Sequence, residues 1–293
     1  MSARAVLGVL GGSGIYELEG LADARWEAVK SPFGDPSDEL LRGTLGGVET
    51  VFLPRHGRGH RIPPTEINYR ANVDALKRAG VTDLVSVSAC GSLREELAPG
   101  TFVLVDQFVD RTFARESSFF TTGCVAHVSM ADPVCARLQD AIEAVASAQE
   151  IPLVRGGTYL AMEGPQFSSR AESHLYRAWG ADVIGMTNMP EAKLAREAEL
   201  CYASVAMVTD FDCWHPAEAA VEVADIVAVL TRNADRGRAL VAGLAPRLEG
   251  RAVPCGRGCD RVLDTAIITP PEARAPALLA QLDAIAGRVL SGS

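Results

Sequence analysis

The sequence predicts an α/β fold in which a largely parallel or mixed β-sheet is covered by helices on both faces. Short runs of β-branched and other apolar residues alternate along the chain with segments of helical periodicity, which is the rhythm of βαβ units. The chain has 293 residues, of which 48% are hydrophobic and 22% are charged, enough for a large core. No low-complexity linker or internal repeat divides it, so we expect one domain over residues 1–293.

The strands are predicted from apolar runs of four to six residues bounded by turn residues. Runs of this length are too short for typical helices, and several are rich in valine and isoleucine. Continuous apolar runs are expected where both faces of a sheet are buried. In chain order the predicted strands are residues 6–10, 49–53, 84–87, 102–105, 158–162, 183–186 and 203–208.

The helices are predicted where apolar residues recur every three or four positions. Ile67, Ala71 and Ala75 mark one face of a helix that Gly80 ends, and Ser169 is a candidate N-cap. Further helices are expected over residues 133–148, 169–179, 190–199 and 217–248, the last broken near residues 243–246. Residues 251–271 form the longest predicted loop, and a tail helix is marked by Leu278, Leu282, Ile285 and Val289.

The overall charge restricts the classes of partner. The net charge of −9 at pH 7 disfavours binding to nucleic acid or to an anionic membrane surface. The apolar run near the N-terminus is interrupted by glycines and is too short for a signal peptide, and no later segment approaches a membrane span. We therefore expect a cytoplasmic protein in which local positive groups capture any anionic substrate.

The seven cysteines give little indication of a metal site. Cys90 and Cys201 lie in apolar runs, where cysteine acts as a small core residue. Cys255 and Cys259 are closely spaced, but without a nearby histidine or second pair they are weak evidence for zinc. A reduced pair is the default interpretation and a disulfide the alternative, so we predict no metal.

A pair of aspartates follows the last of these predicted strands. Residues i and i+2 of a strand point to one face, which would place Asp210 and Asp212 side by side where α/β sheets bind ligands. Two adjacent carboxylates repel each other unless a cation or a ligand with hydrogen-bond donors separates them. A purine with an exocyclic amine is such a ligand, whereas a solvated turn is the simpler alternative.

Two segments have the composition of an oxyanion site. The turn Gly11-Gly12-Ser13-Gly14 follows the first strand, where backbone N–H groups can converge on an anion and Ser13 adds a hydroxyl. Arg55 and His56 follow the second strand in a loop with two further arginines. A guanidinium offers a planar fork, and histidine a donor or a switchable charge. This concentration in an acidic protein favours a phosphate site over a basic loop paired with surface acids.

Other strand ends carry residues suited to a nucleoside. The small residues at 86–92 leave room for a ligand. Phe167 could stack on an aromatic base and Ser168 could contact its edge. Met186 is flexible and polarizable, which suits a sugar or a thioether, although a core methionine is the alternative. A nucleophilic serine is disfavoured because no Gly-x-Ser-x-Gly motif is present.

Taken together, five motifs resemble the methylthioadenosine phosphorylases, a family within the trimeric purine nucleoside phosphorylases. They occur in matching order over roughly residues 5 to 240, and together they are specific where each alone is weak. The motifs are Gly11-Gly12-Ser13-Gly14, Pro54-Arg55-His56-Gly57, Ser88-Ala89-Cys90-Gly91-Ser92, Glu163-Gly164-Pro165-Gln166-Phe167-Ser168-Ser169 and Thr209-Asp210-Phe211-Asp212-Cys213-Trp214. The resemblance implies a mixed, partly barrel-like sheet, a homotrimer, inorganic phosphate as co-substrate, and no metal or organic cofactor.

The resemblance also implies roles for individual residues. Asp210 would protonate the base near N7, and Asp212, or the pair jointly, would accept from the 6-amino group. His127 would reach the sugar pocket of a neighbouring subunit. Beyond residue 250 the match fades, so the 5′ end of the sugar pocket is undefined. By the same resemblance, phosphate would be bound by Ser13, Arg55, His56, Ser88 and Thr187, and the nucleoside by Ala89, Phe167, Ser168 and Met186.

The expected reaction is phosphorolysis of 5′-methylthioadenosine to adenine and 5-methylthioribose 1-phosphate. Cleavage makes the sugar cation-like and the base anionic, so an acid is needed at the base and an anion on the opposite face of the sugar. The alternatives are a broader adenosine or deoxyadenosine phosphorylase, another purine nucleoside phosphorylase, a hydrolytic nucleosidase, and a non-catalytic nucleoside-binding oligomer. The two aspartates argue against 6-oxopurines, and the phosphate motifs argue against hydrolysis.

Overall fold

In the computed structural model, eleven β-strands form one mixed sheet. The structure describes residues 4–12, 15, 18, 20–216 and 223–290. Within these ranges the strands are β1 Val6–Gly11, β2 Ala22–Glu27, β3 Leu40–Leu45, β4 Val48–Pro54, β5 Asp83–Ser92, β6 Phe102–Val105, β7 Gln107–Arg111, β8 Leu153–Arg155, β9 Thr158–Met162, β10 Val183–Gly185 and β11 Cys201–Asp210.

Seven α-helices lie in the same described ranges. Ser169 begins the third of them with a capping box that includes Glu172, as its sequence predicts. None of the described helices is both long and apolar enough to cross a membrane. The helices are α1 Tyr69–Arg78, α2 Ala136–Ala148, α3 Arg170–Ala178, α4 Asn188–Glu197, α5 Val223–Leu244, α6 Pro276–Gln281 and α7 Asp283–Leu290.

Strand β5 organises the sheet because it pairs with three other strands. Its first half lies parallel to β1, which also pairs with β4, and β11 runs parallel to it as far as Gly91. Its last residues pair with β10, and pairing continues through β9 to β7. Strand β6 pairs with β11, and because a single residue links β6 to β7, the chain closes the circuit back to β5. This circuit confirms the predicted mixed, partly barrel-like sheet.

Two hydrophobic cores lie on opposite faces of the sheet. On β1, Val6 and Leu10 pack into one core, and Leu7 and Val9 into the other, as the two-residue period of a strand dictates. The first core includes side chains of α1, α4 and α7, and the second includes those of α2 and α5. Burial on both faces explains why β1 is a continuous apolar run and confirms the prediction of helices on both faces.

Several elements differ from the predicted ones. Strands β2, β3, β7 and β8 were not predicted; five of the six residues of β2 are exposed, so it carries no apolar pattern, and β8 has only three residues. The tail contains two helices, because α6 and α7 are separated at the buried Leu282. The predicted start of the long helix near Ala217 lies outside the described residues, and its described part begins at Val223.

Candidate active site

A cavity of about 540 Å³ opens at the ends of β5, β10 and β11. This is the edge at which α/β sheets bind ligands. The fold brings together here most of the residues that the sequence singled out, although they come from five separate segments. Those that line the cavity are Arg55, His56, Ser88, Ala89, Phe167, Met186, Thr187, Asp210 and Asp212.

The strand register separates the basic and acidic residues along the cavity. Ser88 and Gly91 lie three residues apart on β5, and therefore about 10 Å apart. Gly91 pairs with Asp210 of β11. The pairing of β1 with β4 and β5 places Arg55, which follows β4, at the level of Ser88. The cavity can therefore hold an extended ligand that is anionic at one end and carries hydrogen-bond donors at the other.

The guanidinium of Arg55 is buried and largely committed within the protein. Its Nε forms a salt bridge with Glu191, and the Arg55 side chain is 1% exposed. Its Nη2 donates to Ser86 Oγ at 2.7 Å and to the Leu10 carbonyl at 3.0 Å. Nη1 makes one long hydrogen bond, 3.4 Å to the Val87 carbonyl. The side chain therefore offers a bound anion one nitrogen and not the full fork that the sequence suggested.

His56 is held as a neutral hydrogen-bond acceptor. Burial, assisted by the charge of Arg55, lowers the pKa of His56 to about 4. Its Nδ1 lies 2.8 Å from the Ile62 carbonyl, which can only accept, so Nδ1 carries the proton. The ring stacks on His60 with 4.1 Å between centroids. Nε2 is then available to accept from a ligand hydroxyl, whereas the sequence suggested a donor or a switchable charge.

The outer part of the basic loop lies at the surface, where it pairs with acidic residues. Arg58 Nη2 pairs with Asp38 at 2.7 Å and with Glu39 at 3.0 Å. The Arg58 side chain is far more exposed than that of Arg55. Arg58 therefore fits the alternative interpretation of this loop, in which its basic residues pair with acidic residues at the surface.

Thr187, at the start of α4, completes the basic end of the cavity. It is the N-cap residue of α4, but its hydroxyl makes no capping hydrogen bond. Met189 is extended, with a φ of −120° and a ψ of 131°, so the continuous part of the helix begins only at Pro190. Ser88 Oγ donates its proton to Asn188 Oδ1 at 3.2 Å. The Thr187 hydroxyl and Arg55 Nη1 can therefore donate to an oxyanion, and the Ser88 hydroxyl can do so when it turns from Asn188.

A β-bulge aims Asp210 into the cavity. The register of β5 against β11 shifts between Val208 and Asp210, and such a bulge re-aims the side chain that follows it. Asp210 Oδ2 accepts from Thr209 Oγ1 at 2.6 Å, and Oδ1 accepts from the backbone N–H of Asp212 at 2.9 Å. These two bonds fix the orientation of the carboxylate at the cavity wall.

Asp212 reaches the cavity by a different route from the predicted one. Strand β11 ends at Asp210, and Asp212 begins a 3₁₀ turn with a φ of 52°. Aspartate tolerates this left-handed conformation better than most residues. The expectation that both aspartates share one strand face is therefore wrong. Both still line the cavity, because the turn folds Asp212 back toward Asp210.

The side of the cavity expected to hold the nucleoside is only partly formed by the predicted residues. Gly164, with a φ of +70°, packs against Met186 so closely that a Cβ would lie 2.5 Å from its Sδ, and only glycine fits there. Phe167 stands at the rim and is 83% exposed. Ser168 Oγ donates to Met162 Sδ at 3.3 Å, and Ser168 is not among the residues that line the cavity.

Sequence reasoning missed Arg115, which ties together the segments beneath the cavity. Its Nη1 donates to the Met186 carbonyl at 2.5 Å, to the Met189 carbonyl at 2.7 Å and to Tyr69 OH at 2.9 Å. Its Nε pairs with Glu163 at 3.1 Å. Because most of its partners are backbone carbonyls distant in the chain, no local pattern could have indicated this role.

His127, like Ser168, is a predicted site residue that does not line this cavity. His127 is exposed and lines a separate cleft with Gln107 and Arg257. Its backbone N–H donates to the Ala266 carbonyl at 2.9 Å. Ser13 lies outside the described residues.

Comparison with known sequences gives a consistent family. The profile of the phosphorylase superfamily matches residues 6–245. The S-methyl-5′-thioadenosine phosphorylase of Bradyrhizobium diazoefficiens is 66% identical over 289 residues, covering 99% of each chain. The protein of the same name from Cereibacter sphaeroides is 63% identical, covering 99% of this chain and 100% of the relative.

Solved structures agree with the sequence comparison. A methylthioadenosine phosphorylase from an antarctic soil metagenomic library superposes with a TM-score of 0.90 at 45% identity, covering 97% of this chain and 99% of the other. The methylthioadenosine phosphorylase of Schistosoma mansoni in complex with adenine has a TM-score of 0.84 at 36% identity, covering 92% and 99%. The chain therefore belongs to the phosphorylase superfamily and, within it, to the family of S-methyl-5′-thioadenosine phosphorylases.

Proposed function

We propose that this protein catalyses the phosphorolysis of 5′-methylthioadenosine, releasing adenine and 5-methylthioribose 1-phosphate. The observation that carries this proposal is a single cavity with Arg55, Ser88 and Thr187 at one end and the Asp210–Asp212 pair about 10 Å further along β5. Relatives with up to 66% identity are named for this activity. The proposal predicts adenine release that depends on added phosphate, and equal release in phosphate-free buffer would overturn it in favour of hydrolysis.

In the proposed mechanism, Asp210 acts as the acid at purine N7. The bond between the sugar C1′ and N9 breaks as Asp210 delivers its proton to the departing adenine, and a phosphate oxygen forms the new bond to C1′ from the opposite face. Asp210 is suited to this role because Thr209 and the backbone N–H of Asp212 hold both of its oxygens in place. No covalent enzyme intermediate is needed.

The same pair explains the proposed preference for 6-aminopurines. Asp212, or the pair jointly, would accept a hydrogen bond from the 6-amino group. A 6-oxopurine presents an acceptor at that position and would face a carboxylate without a hydrogen bond between them, which a polar site rejects strongly. Turnover of methylthioadenosine and adenosine but not of inosine would support this assignment.

We place phosphate at the basic end of the cavity, against Arg55 Nη1, His56, Ser88 and Thr187, with Ser13 as a further proposed ligand. Thr187→Val is the cleanest test, because valine keeps the shape of the side chain and removes only a hydroxyl that makes no capping bond. This variant should raise the KM for phosphate several-fold and leave the KM for the nucleoside nearly unchanged. An unchanged phosphate KM would remove Thr187 from the site.

A broader adenosine phosphorylase remains a second candidate, since one solved relative is described as an adenosine/methylthioadenosine phosphorylase. The apolar wall of the cavity, which includes Met207 and Leu230, favours a thioether over a hydroxyl at the sugar 5′ position. A ratio of kcat/KM for methylthioadenosine over adenosine well above one would decide for the first candidate. A ratio below one would decide for the second.

We also propose that the protein is a homotrimer in which His127 completes the sugar pocket of a neighbouring subunit. The support is that His127 is exposed and lies in a cleft apart from the cavity of its own chain. A closed cyclic assembly lets each subunit contribute the same residue to the next. Light scattering should give the mass of a trimer, and a monomeric mass would leave His127 without this role.

The remaining requirements of the proposed reaction are modest. Inorganic phosphate is the co-substrate, and a positioned acid with oriented hydrogen-bond donors supplies the chemistry without an organic cofactor. None of the seven cysteines is joined in a disulfide, which fits the reducing cytoplasm where we propose that the enzyme works.

A further inference from the structure

Four buried cysteines from three distant parts of the chain bring their sulfur atoms together. Their Sγ atoms all lie within 4.8 Å of one another, and each residue is buried. The members of this four-cysteine cluster are Cys135, Cys201, Cys255 and Cys259. Only the last two are neighbours in sequence, so the cluster is a product of the fold.

Each sulfur is supplied by a well-defined element. Cys135 is the N-cap residue of α2, and Cys201 is the first residue of β11. Cys255 precedes a tight turn in which Gly258 has a φ of +70° and its N–H donates to the Cys255 carbonyl at 2.8 Å. Cys259 begins the 3₁₀ turn that follows. The loop after α5 thus presents two thiols to two thiols of the sheet layer.

The spacing of the sulfurs is that of a metal site. A zinc–sulfur bond of about 2.3 Å in a tetrahedron places the sulfurs about 3.8 Å apart. The Sγ atoms of Cys135 and Cys255 are 3.8 Å apart. Core packing alone scatters cysteines as small apolar residues, as with Cys90 and Cys124, which are buried in the other core. Four sulfurs in mutual contact form a single centre, whereas disulfides would join them two by two.

A cationic side chain lies against the cluster. The Arg137 guanidinium donates to Cys201. Four adjacent thiolates would repel one another, and a divalent cation between them would remove this repulsion.

We propose that the four-cysteine cluster binds one zinc ion as a structural site. An all-thiolate donor set selects zinc over magnesium or calcium, and four protein ligands leave no open position for catalysis. Arg137 would act as the outer partner of the site, and Asp83, which pairs with both Arg137 and Arg251, would orient it. The cavity lining formed by the described residues includes none of the four cysteines, so the proposal is independent of the proposed reaction.

The ion would fasten the segment after α5 to the sheet. Gly256 and Arg257, which lie inside the cysteine loop, line the same cleft as His127. Because ligands far apart in the chain converge only in the folded state, binding energy at such a site is folding energy. Loss of zinc should therefore lower the melting temperature and loosen the 251–266 loop before it affects the cavity.

The test measures metal content in the full-length protein, purified without added metal or chelator. We expect about one zinc ion per chain by inductively coupled plasma mass spectrometry. Cys259→Ser should lose most of the bound zinc. The matched control Cys124→Ser changes another buried, free cysteine outside the cluster and should retain it.

Cobalt substitution tests the geometry without a variant that could fail to fold. Wild-type protein exchanged into Co²⁺ should show the intense visible bands of tetrahedral cobalt bound to thiolates. Metal far below one ion per chain in cells supplied with zinc, equal zinc in Cys259→Ser and wild type, or an octahedral cobalt spectrum would overturn the proposal. Alkylation under denaturing conditions that found these cysteines joined in disulfides would overturn it as well.

Discussion

Gly91→Ala is expected to displace the carboxylate of Asp210, the proposed acid, while leaving the residue itself unchanged. Gly91 pairs with Asp210 across β5 and β11. A Cβ at Gly91 would lie 2.9 Å from Asp210 Oδ1, 3.2 Å from Ile184 Cγ2 and 3.3 Å from Asp212 Cβ. The φ of Gly91 is not in the positive range, so alanine strains no backbone angle and acts only through the space that its methyl group occupies.

The size of the expected fall in kcat follows from the shortest of these contacts. Ordinary van der Waals contact begins at 3.4 Å, so an oxygen found at 2.9 Å must move by about 0.5 Å. That same Oδ1 accepts the Asp212 N–H at 2.9 Å, so the displaced carboxylate also weakens one of its two positioning bonds. Misplacement of a catalytic group by about 1 Å can cost about 10²-fold, and a hydrogen bond is worth about 1 kcal/mol. We expect kcat for methylthioadenosine to fall roughly 10- to 100-fold.

The assay is steady-state phosphorolysis with both substrates varied, together with a thermal melt. The KM for phosphate should stay within about twofold of wild type, because the basic end lies about 10 Å away along β5. Gly256→Ala is the matched control, since a Cβ there meets nothing within 4 Å. Wild-type kcat in a folded Gly91→Ala protein would show that the position of the Asp210 carboxylate does not limit the reaction.

Three further changes test other parts of the site and the fold. Asp210→Asn should lower kcat/KM for 6-amino nucleosides roughly 10²–10⁴-fold, the usual worth of a general acid, and shift relative preference toward inosine; parallel assays of methylthioadenosine and inosine measure both effects. His56 Nε2 can only accept, so it favours an oxyanion that carries a hydroxyl. Arsenate should therefore replace phosphate well. Sulfate carries no proton at neutral pH and should inhibit about tenfold more weakly than a protonated oxyanion. Burial raises the pKa of Glu197 to about 7, so its contribution to stability is present below its usual pKa of 4.5 and is lost as the pH rises through 7. Glu197→Gln should therefore be more stable than wild type at about pH 8, by up to about 3 kcal/mol, and similar to it at about pH 4.5, as urea unfolding at both pH values would show.

The parts of the fold that the sequence predicts well are those buried on both faces. Strand β1 and the run from Phe102 to Val105 are almost wholly apolar, and no other environment suits such a run of that length. Strand β2 is exposed along nearly its whole length and is held by pairing with β3, which leaves no trace in its composition. A strand defined by its neighbour's hydrogen bonds cannot be found from its own residues.

The features of the site also fall into those that the sequence could predict and those that it could not. The motifs at strand ends indicate the correct edge of the sheet, because small and polar residues directly after a buried strand are typical of the edge where α/β sheets bind ligands. The sequence could not show that Asp212 reaches the cavity through a left-handed turn. Nor could it show that Arg55 donates most of its N–H groups to Glu191 and to strands β1 and β5. The four-cysteine cluster is the clearest case, since Cys135 and Cys201 join the closely spaced pair only through the packing of α2 and β11.

The charge balance at the basic end determines how an anion can be held there. Arg55 is paired with Glu191, and His56 is neutral because its pKa lies near 4, so these three side chains together carry no net charge. Buried ion pairs seldom stabilise a fold more than apolar residues of the same volume would, which points to positioning as the role of the Arg55–Glu191 pair. An anion in this acidic protein would be held mainly by oriented donors, namely the Thr187 hydroxyl, one guanidinium nitrogen of Arg55 and, when it turns from Asn188, the Ser88 hydroxyl. Such donors need no reorganisation as charge moves from phosphate to the sugar and base, which is the condition for electrostatic catalysis. Phosphate binding at this site should therefore depend more on hydrogen-bond geometry than on ionic strength.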